Sequence, residues 1–117
     1  MISPLTEKIV KLLDSKKAVD IAVIEIKELT IIADYFVIAT GTSNTHLRAL
    51  ADEVEDSLAK EGIEPVNIEG RATGWMLLDY GETIVHIFQP DTREFYNLER
   101  LWADATKPDI SYLISEN

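Results

Sequence analysis

Two histidines, one glycine turn carrying two hydroxyls, and a scatter of carboxylates are the groups with which this chain of 117 residues could do chemistry. Gly41-Thr42-Ser43 lies between an apolar run and a helical pattern. Free N–H groups and a helix dipole would converge there on a phosphate, and ordinary helix capping would use the same residues. A nucleotide-using transferase built on such a turn also needs an Asp-x-Asp or Asp-x-Glu pair on a following strand to hold magnesium. Asp79-Tyr80-Gly81-Glu82 lacks that spacing, and Asp20 and Glu25 precede the turn. His46 and His86 belong to no H-E-x-x-H or similar metal spacing. Ser43 and His46, one turn apart, read as a nucleophile and its base or as two capping residues. Asp79 near His86 reads as a metal or acid–base pair, or as a histidine satisfied by internal hydrogen bonds. The chain does not read as an enzyme, and no catalytic residue, cofactor or metal is expected.

The elements that must position these groups follow from periodicity. Ser3-Pro4 opens a helix over about residues 4–16, with Leu5, Ile9, Leu12 and Leu13 on one face. Asp20 to Lys27 and Tyr35 to Thr40 are short, apolar and β-branched, as buried strands are. Leu47, Leu50, Ala51, Val54 and Leu58 make the apolar stripe of a second helix, which Gly62 ends. Glu64 to Ile68 suggests a short strand. Gln89-Pro90 closes the last strand, because proline cannot continue a ladder. Asp91-Thr92-Arg93-Glu94 has the form of a capping box, and Phe95, Leu98, Leu101, Trp102 and Ala105 would face the core from a third helix. The expected fold is α/β: a single domain over residues 1–117, with a mixed sheet of about five strands and three main helices. Residues 108–117 form an apolar tail that packs on this subunit or on another.

The stretch from Gly74 to Phe88 is a hairpin with two unlike faces. If Gly81-Glu82 is its two-residue turn, Trp75 lies opposite Phe88, Leu77 opposite His86 and Asp79 opposite Ile84. Met76, Leu78, Tyr80, Val85 and Ile87 then make an ordinary core face. Trp75, Leu77, Asp79, Ile84, His86 and Phe88 mix large apolar groups with an acid and an imidazole. That set is either a second buried face or a partner contact, in which desolvated aromatics supply energy and a polar group fixes orientation.

The formal charge is −10, and four lysines against two acids in residues 1–17 leave −12 on the remainder. Such a body repels phosphate backbones, so little direct nucleic-acid binding is expected. A basic protein partner would be steered toward it. With no cysteine, neither a disulfide framework nor a zinc ribbon can form. Apolar runs are too short to span a bilayer, and the N-terminus has no signal-peptide pattern, so no membrane association and a cytoplasmic location are expected.

Asp34-Tyr35-Phe36-Val37-Ile38, Gly41-Thr42-Ser43, Glu69-Gly70, Trp75 with Leu78-Asp79-Tyr80-Gly81, Val85-His86-Ile87-Phe88 and the run from Arg93 to Ala105 together resemble the Iojap family, the bacterial ribosomal silencing factors. The resemblance covers about residues 5–105. It implies a nucleotidyltransferase-like fold without the catalytic acids and a non-enzymatic translation repressor. It further implies binding to ribosomal protein L-fourteen of the large ribosomal subunit, which blocks small-subunit joining when nutrients are short, and a homodimer when free. Set on the hairpin reading, the expected partner contacts are Trp75, Leu77 and Phe88 as apolar anchors, Asp79, Glu82, Glu94 and Glu99 toward cations, and Pro90 and Tyr96 at the rim. The residue-level alternative is a nucleotide-binding transferase using Gly41-Thr42-Ser43.

Overall fold

A computed structural model describes residues 2–70 and 74–115. The chain runs α1 (Pro4–Ser15), β1 (Val19–Glu25), β2 (Tyr35–Thr40), α2 (Asn44–Ala59), β3 (Asn67–Glu69), β4 (Trp75–Asp79), β5 (Thr83–Phe88), α3 (Pro90–Tyr96) and α4 (Leu98–Leu101), then a single 3₁₀ turn, Ser111–Leu113. The five strands form one mixed sheet in the order β1-β2-β5-β4-β3. Only the central β2–β5 pair is parallel, and its neighbours on each side run antiparallel.

Strand alternation sorts the side chains into two cores. Val23, Val37, Ala39, Met76, Leu78, Val85 and Ile87 meet the stripes of α1 and α2, where α1 packs on β1 and β2 and α2 on β4 and β5. The opposite face carries Ile24, Phe36, Ile38, Ile84 and Phe88, with Trp75, Leu77, Leu98, Trp102 and Ala105 around them. β2 and β5 are therefore buried on both faces along their whole length, which is why they read as continuous apolar runs rather than alternating ones. The described part of the tail packs on this subunit. Ile110 and Leu113 are buried in the helical core, and Tyr112 Oη donates to Glu7 Oε2 at 2.8 Å.

The third helix differs from its expected form in two ways. Its first turn starts two residues early, with Gln89 before Pro90 rather than Asp91 as the cap, and the Gln89 N–H is accepted by Thr92 Oγ1 at 3.1 Å. Asn97 then adopts a left-handed conformation, φ 45° and ψ 60°, and splits the segment into α3 and α4. The break turns Phe95 and Leu101 to solvent, at 81% and 74% exposure, while Leu98, Trp102 and Ala105 remain against the sheet. Asn97 suits the position because its short polar side chain tolerates the left-handed region and its Oδ1 caps α4 at Arg100 N, 3.3 Å. We expect Asn97→Ala to lower stability by about 1 kcal/mol and Asn97→Gly by only a few tenths. Urea midpoints of the two variants check this, and equal losses would mean that the backbone conformation is not what Asn97 supplies.

Candidate functional site

The hairpin adopts the expected register: Trp75 opposite Phe88, Leu77 opposite His86, Asp79 opposite Ile84. On the face away from α1 and α2, the segment around Trp102 covers the β2 side, with the Trp102 ring edge-on to Phe36 at 5.6 Å. Cover is incomplete over β4, where Trp75, Leu77 and Asp79 are all half-buried. Trp75 sits at the centre of an aromatic group. Its ring stacks on Phe88 with centroids 5.0 Å apart and 26° between planes, and meets Tyr96 of α3 at 4.6 Å. Tyr96 is 48% exposed and leads on to the T-shaped contact with Phe95 at 5.0 Å. The surface thus runs from Leu77 through Trp75 and Tyr96 to Phe95, apolar and aromatic, with Asp79 beside it and exposed Glu94 beyond.

His86 lies beneath this surface and pairs with Trp75 rather than Asp79. The Trp75 indole N–H donates to His86 Nδ1 at 3.1 Å, and the Phe36 ring packs edge-on against the imidazole at 4.6 Å. Burial pushes His86 down from its ordinary 6.5 to about 4, so the ring is neutral at physiological pH. Asp79 Oδ1 instead accepts from Gly81 N at 2.8 Å and braces the hairpin turn. Hydrogen-bond geometry thus separates the two groups that sequence spacing had associated.

Three of the expected contacts have further engagements within the chain. Phe88 is 1% exposed and forms the floor under Trp75 rather than an anchor of its own. Glu99 accepts from Arg93 Nε at 3.2 Å and Nη2 at 3.0 Å, a two-pronged ion pair across the Asn97 break, and is committed within the chain. Glu82 is exposed at the turn but its Oε1 accepts from Ser3 Oγ at 2.5 Å, which draws it toward the N-terminal cap of α1. Pro90 and Glu94 are exposed and line a crevice of ≈ 350 Å³ with Asp20, Thr40 and Arg93. Sequence reasoning missed Arg93, which donates from Nη1 to Thr40 Oγ1 at 2.8 Å and to the Asp20 carbonyl at 2.6 Å. No residue of α3 or α4 is fully buried, so this arginine is the polar clamp that seats them on the sheet. It also missed Phe95 and Leu101 as surface residues, for which the signal was Asn97.

The glycine turn is filled by the protein itself. A Cβ at Gly41 would lie 2.7 Å from Leu47 N, so the glycine is there for close approach of β2 to α2. Thr42 N donates to His46 Nδ1 at 2.9 Å, Ser43 Oγ accepts from His46 N at 3.1 Å, and His46 Nε2 meets the Lys16 carbonyl at 2.8 Å. Thr42 N–H, the Ser43 hydroxyl and His46 are thus engaged in capping α2 and tying it to the end of α1. Among the described residues no cluster of three or more His, Asp or Glu is placed to hold a metal ion. No helix there is long and apolar enough to cross a membrane.

Comparison with known proteins agrees with this arrangement. A crystal structure of a Chromobacterium violaceum protein superposes with a TM-score of 0.84 at 31% identity, covering 95% of this chain and 92% of that one. The ribosomal silencing factor RsfS of Bacillus subtilis is 38% identical over 100 residues, 85% of each protein. That of Halalkalibacterium halodurans is 37% identical over 107 residues, 91% of this chain and 92% of its own. The model of the family "ribosomal silencing factor during starvation" matches residues 2–117. A match over that span takes in the hairpin, its aromatic cover and the split third helix together, and the chain belongs to the family of ribosomal silencing factors.

Proposed function

We propose that this chain represses translation by docking on ribosomal protein L-fourteen of the large ribosomal subunit and sterically blocking the small subunit from joining. The observation that carries the reading is the half-buried Trp75, in contact with Tyr96 where cover of the sheet face over β4 is incomplete. An aromatic pair of this kind, flanked by Leu77 and by Asp79, has the make-up of an interface centre, where a few desolvated rings supply most of the binding energy. The net charge of −10 suits a basic ribosomal protein as the partner. Relatives named as ribosomal silencing factors support the ribosome as the target. In this reading Trp75, Leu77 and Tyr96 form the apolar contact, Asp79 and Glu94 face cations, and Pro90 lies at the rim. Blocking needs no chemistry at the site, in keeping with a glycine turn already occupied by His46.

Co-sedimentation with purified large subunits over a series of salt concentrations tests the proposal. The chain should pellet with large subunits, and small subunits added afterwards should fail to join. Asp79→Lys should slow association severalfold and flatten its salt dependence, because a rim charge acts mainly on the on-rate. Absence of co-sedimentation at low salt would overturn the reading, and an unchanged on-rate would remove its electrostatic part.

A further inference from the structure

Deepening the docking reading, on which its functional half rests, we propose that His86 is the positioning residue of the aromatic anchor: its buried imidazole accepts the Trp75 indole N–H and fixes how that ring is presented to the large subunit. The two residues lie diagonally across the β4–β5 ladder, with Nε1 of Trp75 3.1 Å from Nδ1 of His86. Ring stacking alone would leave the indole free to flip or slide over Phe88, since offset aromatic pairs are broad in their geometry. The hydrogen bond selects one orientation, the one in which the indole also meets Tyr96, 4.6 Å between centroids.

What makes this more than core packing is the price of having an imidazole here at all. His86 is 4% exposed, with Phe36 edge-on to it and Phe88 beside it at 6.2 Å. With Nδ1 accepting from Trp75, the neutral ring carries its proton on Nε2, and among the described residues Nε2 has no hydrogen-bond partner. A buried, unpaired donor destabilises a fold, and an apolar residue of the same size avoids it. For packing alone, phenylalanine or leucine would serve better between these rings. The acceptor turned toward Trp75 is what they lack. A pre-oriented anchor binds more tightly because less side-chain freedom is lost on docking.

The test uses the full chain in three forms: wild type, His86→Phe, which keeps a ring and removes the acceptor, and His86→Asn, which restores an acceptor near the position of Nδ1. Solvent exchange of the Trp75 indole N–H, followed by ¹⁵N NMR with the Trp102 indole as internal reference, should be slow in wild type, fast in His86→Phe and slowed again in His86→Asn. Affinity for large subunits should fall by roughly three- to tenfold in His86→Phe and recover at least in part in His86→Asn. In a Trp75→Phe background, which has no indole N–H, His86→Phe should cause no further loss. Unchanged indole exchange in His86→Phe overturns the proposal, as does an affinity loss that Asn does not rescue or that persists in the Trp75→Phe background. If wild type itself does not bind large subunits, the docking reading fails, and the exchange experiment still decides whether His86 holds the indole.

Discussion

Trp75→Ala should lower affinity for the large ribosomal subunit by about 2 kcal/mol or more, roughly 30-fold, while the chain stays folded. The size of the loss follows from position. Trp75 is half-buried, so a large part of its ring remains to be desolvated by a partner, and it touches both Phe88 below and Tyr96 beside it. Its removal takes away the contact and also uncovers the Phe88 floor, which cannot rise to replace it because β5 is buried on both faces. Folding survives because the larger core, between α1, α2 and the opposite sheet face, does not include Trp75. Some stability is lost with the stacking, and a modest fall in melting temperature is part of the expectation. Sedimentation affinity and circular dichroism on the same sample decide the matter. Global unfolding of Trp75→Ala would make the ring a core residue and remove it from the contact. A folded variant with unchanged affinity would move the contact elsewhere on the surface.

How far these residues could be placed from the chain alone depended on which interactions set their positions. The hairpin was legible because a two-residue turn at Gly81-Glu82 and a period of two leave one register that puts Met76, Leu78, Val85 and Ile87 together on the core face. β2 and α2 were legible for the same reason, a single strong pattern with a glycine at its end. The third helix was not. Its apolar residues at Phe95, Leu98, Leu101 and Trp102 fit one helical stripe, and only the backbone of Asn97 decides that they do not share a face. A left-handed asparagine that both ends one helix and caps the next leaves the stripe intact on paper and broken in space.

The site was legible to the same degree. Trp75 and Leu77 emerged from alternation, and Tyr96 from its place off the presumed stripe. Phe88 did not, because alternation identifies a face without saying how deep each residue lies, and depth here is set by Trp75 stacking over it. Glu99 was assigned to a partner because its own partner, Arg93, is reached only once the chain bends at Asn97. His86 was drawn toward Asp79 by the habit of pairing an imidazole with an acid. The diagonal across the ladder, where Trp75 stands, was the closer neighbour.

The burial of His86 has a second large consequence, in the dependence of stability on pH. Desolvation among Phe36, Trp75 and Phe88 lowers its pKa from 6.5 to about 4, with no charged neighbour contributing. The folded chain therefore resists a proton that the unfolded chain accepts. Above pH 6.5 both states are neutral at this residue and it imposes no penalty. As pH falls from 6.5 toward 4 the unfolded state takes up the proton first and stability drops, by about 3 kcal/mol at pH 4 from this one group. Below that, both states bind the proton and the residue adds no further loss. Urea unfolding of wild type between pH 7 and pH 4 should show this decline, and His86→Phe should lack it, so that the stability difference between the two moves in favour of His86→Phe by about 3 kcal/mol as the solution is acidified. Curves that stay parallel would mean that protonated His86 is accommodated in the fold, which the apolar rings around it oppose. The same imidazole that orients the anchor at neutral pH is thus the point at which acid enters this sheet face. Protonation turns Nδ1 from an acceptor into a donor, so the hydrogen bond to Trp75 is lost in the same step.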